Sequence, residues 1–319
     1  MEERINILIG SDINYAPYYG VMLTSLFMNN KESRFDVYLL TDDTWIEEET
    51  KRFSQLCSMY DSNFYVFVVN VDLVKEFPRA GHITLPTYYR LQACNILPST
   101  IHKILYLDGD MIVTGDIRPL WNTNLDGYAY AGVLGASYMN SDNYVRLGYD
   151  CQYGYYNAGV MLYNFDFWRE QNVSSKLIEL ISSDPEMFIW MDQDAINKLL
   201  HRNAYQLLPR YNLQTMFFAR NLWEDYHENM KHLLISEAEH DIIIHYNGHL
   251  KPWQDSYYGF PYRQLWMKYN KNSLWERVLS HKLSLKHIKH VVKQIFRKSI
   301  FIDRFNRNYV NEVRKYCEL

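Results

Sequence analysis

The chain has 319 residues and an apolar fraction of 48%, enough for one large domain or two modest ones with a substantial core, and too apolar for general disorder. Its four cysteines, Cys57, Cys94, Cys151 and Cys317, stand far apart with no C-x-x-C pair, which argues against a disulfide framework or a cysteine-based zinc site and suits a reducing compartment. The net charge of −4 conceals a division: residues 281–319 hold ten Lys and Arg against three Asp and Glu, a balance of +7, and the remainder carries −11.

In chain order, "INILIG" reads as a strand and 16–29 as a helix, "FDVYLL" as a second strand, 44–60 as a helix and "FYVFVV" as a third strand. "PTYYRLQACNIL" reads as a helix with proline at its start, and "KILYLD" as the next strand. Strands alternating with helices of this length predict an α/β fold with a mainly parallel sheet covered on both faces, whose ligands bind beyond the carboxyl ends of the strands. The second half is less regular. "YAYAGVL", "AGVMLYNF" and "DIIIHYN" look like strands, and 166–183 and 193–201 like helices.

The expected organisation is a catalytic domain over 1–270 and a basic helical tail over 271–319. In the tail Ile288, Val291, Val292, Ile295 and Phe296 make one helical stripe, with Lys286, Lys289, Lys293 and Arg297 opposite. That pattern suits an amphipathic helix on an anionic membrane surface, or a helix docked on its own domain with solvated lysines. The N-terminus shows no basic segment leading into a long apolar stretch, and no apolar run approaches the roughly 20 residues of a membrane span. A cytoplasmic protein, held peripherally at the inner face of a membrane and without a nucleic-acid partner, is expected.

The segment "KILYLDGDMIVTGDI" runs a buried strand into two carboxylates, Asp108 and Asp110. A calcium loop would need oxygen ligands and glycine where Ile112 and Val113 stand, so that reading fails. A phosphatase D-x-D would need threonine at the Ile112 position and normally opens its domain. Carboxylates that merely cap turns, and carboxylates that hold a divalent metal for a nucleoside diphosphate, both remain. For the second, two acids on extended backbone point to opposite sides, and Gly109 would supply the bend that turns both to one ion. Further on, "IIIHYNGHLKPW" delivers His245 from a buried strand, then Gly248 for close backbone approach and Lys251 as a point charge. This combination favours the metal–diphosphate reading.

"SDINYAPY", "TYYRL", "LYLDGDMIV", "YYNAGVMLYN", "MDQDAIN" and "HYNGHLKPW", in this order over about residues 4–265, resemble the family 8 retaining glycosyltransferases, close to bacterial lipopolysaccharide galactosyl- and glucosyltransferases and more distantly to glycogenin. The resemblance implies a GT-A fold, a Rossmann-like mixed sheet flanked by helices that uses D-x-D and a metal in place of a Gly-rich phosphate loop, here with a C-terminal helical appendage. It implies Mn²⁺ or Mg²⁺ on Asp108, Asp110 and His245, a UDP-sugar donor, and a glycan or glycolipid acceptor. Asp12, Asn14 and Tyr15 would hold uridine. Arg90, His82, Gly109, Gly248 and Lys251 would serve the donor, and Asn157, Asp192 and Gln193 would meet the reacting sugar. Read as residues, Asp12 equally suits a turn capping helix 16–29, Asp192 a helix N-cap, and Asn157 a turn before its strand. Gln193 is expected at the first helical position, where it has no structural task. An amide is a poor nucleophile, so Gln193 implies a front-side mechanism in which it steadies an oxocarbenium-like sugar. Relatives often carry an acidic residue where this chain has Gly135, so acceptor identity does not carry over. The rival readings are a sugar-nucleotide hydrolase or phosphatase and a non-catalytic UDP-sugar-binding module.

Overall fold

Ile5–Gly10 (β1), Phe35–Thr41 (β2) and Asn63–Val68 (β3) lie side by side in parallel, and Lys103–Leu107 (β4) adds to the free side of β1. The structure, a computed structural model, describes residues 4–79, 84–248, 251–254 and 262–275. Beyond Met111–Val113 (β5) come Tyr130–Leu134 (β6), Tyr156–Asn164 (β7) and Ala204–Gln206 (β8). The large sheet has the order β3-β2-β1-β4-β7-β6-β8, with β7 antiparallel to β4 and to β6 and β8 parallel to β6. The sheet is mixed and mainly parallel.

Its central strands are apolar on both faces because both are covered, while the edge strands β3 and β8 are partly exposed. Ile7, Ile9, Val37, Leu39, Leu105, Leu107, Val160 and Leu162 pack into one core. The alternate residues Leu8, Tyr38, Leu40, Ile104, Tyr106, Met161 and Tyr163 pack into another. This is the two-residue period of an extended chain buried twice.

A second, three-stranded sheet carries the feature that positions the site. β5 pairs antiparallel with Ile243–His245 (β10), which pairs in parallel with Leu213–Gln214 (β9). The chain therefore leaves the large sheet at Leu107 and enters the small one at Met111, and D-x-D is the crossing. The outer edge of β5 is closed by the helix Ala16–Asn29: Val113 N–H donates to Ser25 Oγ at 2.8 Å and Asn29 Nδ2 donates to Val113 O at 2.9 Å. Two side chains thus satisfy backbone groups that would otherwise be an open edge.

Three expectations change. The helix expected over 86–97 is a 3₁₀ helix, Leu85–Gln92, followed by one α turn, Ala93–Ile96. Tyr88 through Gln92 are all buried there, so tertiary packing sets the winding against intrinsic propensity. The helix expected over 166–183 is broken into Phe165–Glu170 and Val173–Ser183 by Asn172 in the left-handed conformation, a conformation asparagine tolerates better than most residues. Gly109 lies at the bend but is not left-handed. A Cβ there would lie 3.0 Å from the Tyr19 ring and 3.1 Å from that of Tyr15, so crowding by these rings rather than dihedral freedom favours glycine.

The helix Arg263–Asn272 spans the expected boundary at 270, and Trp275 beyond it is buried, donating from Nε1 to Glu49 Oε2 at 2.6 Å. The basic stripe of the tail and His82 lie outside the described residues. No helix among the described residues is long and apolar enough to cross a membrane.

Candidate active site

A cavity of about 450 Å³ opens where the two sheets meet. Its wall includes Tyr15, Arg90, Asp108, Gly109, Asp110, Asn157, Asp192, Gln193, His245, Gly248 and Lys251. Residues spread over 236 positions of sequence are thereby brought to one place, with Gly135 and Trp190 also on the wall. Asp12 and Asn14 are not among the lining residues. Asp12 Oδ1 accepts from the Tyr15 N–H at 3.0 Å, the turn-capping bond, and Asn14 is exposed.

Each acid of D-x-D has its own cation. Asp108 Oδ1 accepts from Arg90 Nη2 at 2.9 Å and from Tyr106 Oη at 2.7 Å, leaving Oδ2 turned toward His245 Nε2, 3.9 Å away. Asp110 Oδ2 accepts from Lys251 Nζ, and its Oδ1 is 3.3 Å from His245 Nε2. Burial raises the Asp110 carboxyl pKa, but the Lys251 and His245 charges and hydrogen bonds overcome it and hold the group far below the usual carboxylate range.

His245 Nδ1 is 3.0 Å from Asn212 Oδ1, so the other ring nitrogen is the one presented to the acids. One ligand atom from each of Asp108, Asp110 and His245 falls within 4.8 Å of the others. A Cβ on Gly159 would sit 2.4 Å from His245 Cε1 and 2.9 Å from Asp108 Oδ2, so glycine keeps the imidazole and the carboxylate together. Two hard oxygen donors and an imidazole nitrogen, held by a second layer of hydrogen bonds, fit a divalent cation.

Arg90 is the hub on the opposite wall. Beyond Asp108 it reaches Asp192 Oδ2 from Nε at 3.0 Å and donates from Nη1 to Ala158 O, with its guanidinium carbon 3.6 Å from the Tyr106 ring centroid. Thr87 Oγ1 donates to Asp192 Oδ1 at 2.7 Å. Burial lifts the Asp192 carboxyl above its usual range, and Arg90 only partly offsets it. Asp192 lies inside the helix Met191–Leu200, and Gln193 is its third residue rather than its first. Gln193 Oε1 accepts from Asn157 Nδ2 at 2.9 Å and Ala158 N–H at 3.1 Å, while its Nε2 donates to Tyr155 Oη at 2.8 Å. Both lone-pair directions of that amide oxygen are used. Tyr155 in turn donates to Asp194 Oδ1 at 2.7 Å, and Arg146 pairs with Asp194.

Sequence reasoning did not find Asn212, Thr87, Tyr106 or the anchoring role of Asp194. Asp194 stands within the quoted "MDQDAIN" and could have been found there. Asn212, in "RYNLQ", carries no comparable signal.

An open α/β sheet, a D-x-D crossing onto a histidine strand and a cavity walled by Arg90, Lys251 and an Asn–Asp–Gln set define a class: glycosyltransferases of the GT-A type. The chain belongs to glycosyl transferase family 8, whose sequence model matches residues 6–256. It is 28% identical over 291 residues to General stress protein A of Bacillus subtilis (strain 168), covering 87% of this chain and 96% of that one. It is 26% identical to the lipopolysaccharide 1,3-galactosyltransferase of Salmonella typhimurium, covering 99% and 93%, and 28% identical to a lipopolysaccharide 1,2-glucosyltransferase of Escherichia coli (strain K12), covering 79% and 73%. The crystal structure of the galactosyltransferase LgtC in complex with donor and acceptor sugar analogs shares the fold, with a TM-score of 0.75 at 21% identity over 85% of this chain and 96% of that one.

Proposed function

We propose that the protein is a metal-dependent retaining hexosyltransferase that moves galactose or glucose from a UDP-sugar to a hydroxyl of a glycan or glycolipid, in the synthesis of cell-surface polysaccharide or lipopolysaccharide. The observation that carries this reading is the convergence of Asp108, Asp110, His245, Lys251 and Gln193 on one cavity. The names of the lipopolysaccharide galactosyl- and glucosyltransferase relatives support the hexose and the acceptor class.

Asp108, Asp110 and His245 would hold Mn²⁺ or Mg²⁺, which supplies positive charge to the leaving diphosphate. Lys251 stands beside the same acids and neutralises the diphosphate from the side of Gly248. The positive φ of Gly248, +96°, turns its backbone in a way other residues resist. Tyr15 lines the cavity and would offer its ring to the uracil, while Asp12 holds the Tyr15 turn in place. Arg90 bridges Asp108 and Asp192 side by side, and Asp192 and Asn157 orient the sugar. The Gln193 oxygen is already engaged by two donors, which supports a fixed dipole beside an oxocarbenium-like sugar over a covalent nucleophile. The acceptor hydroxyl then attacks on the face the diphosphate leaves, and its proton passes to the departing diphosphate. Nothing acidic stands at Gly135 to meet the acceptor. Residence in the cytoplasm, with the +7 segment 281–319 on an anionic membrane face, completes the reading and rests on sequence alone.

The test is turnover of UDP-galactose and UDP-glucose with Mn²⁺ and a lipopolysaccharide-core oligosaccharide. UDP release and extension of the oligosaccharide, abolished by EDTA, is the expected result. Undiminished turnover in EDTA, or the absence of transfer from either donor, would overturn it.

A further inference from the structure

Asn212 is completely buried, immediately before β9, and touches two parts of the site at once. Its Oδ1 faces His245 Nδ1 at 3.0 Å, and its Nδ2 donates to Asn157 Oδ1 at 2.9 Å. Asn157 Nδ2 then donates to Gln193 Oε1. A side-chain amide can in principle be turned end for end, so the polarity of such a chain has to be set by groups that cannot turn. Here the sugar-facing end is set. The backbone N–H of Gly159 donates to Asn157 Oδ1 at 3.0 Å, and that of Ala158 donates to Gln193 Oε1. At the far end the carboxylate of Asp194 can only accept from Tyr155, whose oxygen is thereby left to accept from Gln193 Nε2. With Asn157 Oδ1 an acceptor, Asn212 must present its amide nitrogen to it and its oxygen to His245. His245 must then carry a proton on Nδ1, which leaves Nε2 as the nitrogen that faces the space shared with Asp108 and Asp110.

We infer that Asn212 is a positioning residue that, with its own amide oriented by Asn157, puts a proton on Nδ1 of His245 and buttresses Asn157 beside Gln193, so that one amide links the metal-binding and sugar-facing halves of the site. The inference rests on the proposed function for its meaning. Outer partners of a metal-binding imidazole usually govern affinity or activity by 10–100-fold.

Two variants separate the halves. Asn212→Ala removes both contacts and is expected to weaken Mn²⁺ binding in the presence of UDP, read by calorimetry or by the spin resonance of free Mn²⁺, by about 10-fold or more. Asn212→Asp keeps an acceptor for His245 Nδ1 but sets a carboxylate oxygen against Asn157 Oδ1. It is expected to hold Mn²⁺ within about 3-fold of the wild type while kcat falls about 10-fold or more, with little change in donor KM. Mn²⁺ affinity unchanged in Asn212→Ala, or lost equally in both variants, overturns the inference. Should neither variant fold, the ¹⁵N resonances of His245 in the metal-free wild type decide: a proton on Nδ1 supports the inference, and an Nδ1 without a proton overturns it. Failure of the wild type itself to bind Mn²⁺ with UDP would sink the proposed function, while the tautomer measurement would still judge Asn212.

Discussion

Lys251 Nζ donates to Asp110 Oδ2, so one acid of D-x-D carries a tethered counter-ion where both residues are nearly inaccessible, 8% and 7% exposed. Removing one partner of a buried pair leaves the other uncompensated, typically at about 3–5 kcal/mol. Lys251→Met is therefore expected to lower the Tm of the metal-free protein markedly. Among the described residues Asp110 then keeps only His245 as an ion-pair partner, and a divalent cation should take over part of the lost compensation. Scanning calorimetry with and without Mn²⁺ checks this. The cation should raise the Tm of the variant more than that of the wild type, and equal increments would refute the counter-ion reading.

Gly159 is the second sensitive point. A methyl group there would meet His245 Cε1, the Met111 methyl at 2.7 Å and Asp108 Oδ2, all closer than real contacts allow. The Met111 methyl ends a flexible side chain, but the other two cannot yield without opening the site, since His245 is held by Asn212 and Asp108 by Arg90 and Tyr106. Gly159→Ala should cost about 1–3 kcal/mol of stability, the usual range for overpacking, and should weaken Mn²⁺-dependent UDP binding about 10-fold or more. Thermal melts paired with calorimetric titration of UDP give both readings. Unchanged binding would show that the site tolerates the methyl group.

Much of this was legible in the sequence, because strands buried on two faces write continuous apolar runs and the crossing at Asp108–Asp110 interrupts one of them. The position of His245 could be read from its place at the end of "DIIIH". What escaped are features whose cause is non-local. The 3₁₀ winding over Leu85–Gln92 is set by burial of Tyr88 to Gln92 from all sides. The two-residue strand Leu213–Gln214 is too short to show a period, and Asn212 beside it takes its role only from His245, 33 residues away. The shape requirement at Gly109 comes from Tyr15 and Tyr19, nearly a hundred positions earlier.

Asp241 gives a pH signature unconnected with the site. Burial pushes its carboxyl up to about 6. An unfolded chain would titrate near 3.9. The folded state therefore binds this proton more tightly, and stability is lost as pH rises from about 4 through 6. The shift corresponds to a maximum near 3 kcal/mol, and about 1–2 kcal/mol is expected because water still reaches the group. Asp241→Asn should raise Tm at pH 7.5 and leave it nearly unchanged at pH 4. Denaturation curves at the two pH values check this, and an equal change at both would show that the ionised carboxylate is not the source.

Gln193 links the geometry to the stereochemical outcome. Its oxygen accepts from Asn157 and Ala158 and its nitrogen donates to Tyr155, so the amide is held rigidly and carries no anionic charge to form a glycosyl ester. A dipole fixed in this way matters most where positive charge develops at the sugar, and interactions strengthened only in the transition state appear in kcat. Gln193→Ala should therefore lower kcat by about 10²-fold, within the range for loss of a preorganised dipole, and leave donor KM within about 3-fold. The product should keep the α configuration of the donor, because attack and departure share one face. The anomeric proton coupling in early product, followed by NMR, decides between the outcomes. A β-linked product would require attack from the opposite face and would exclude this arrangement. A variant whose KM rises while kcat holds would place Gln193 in ground-state binding instead.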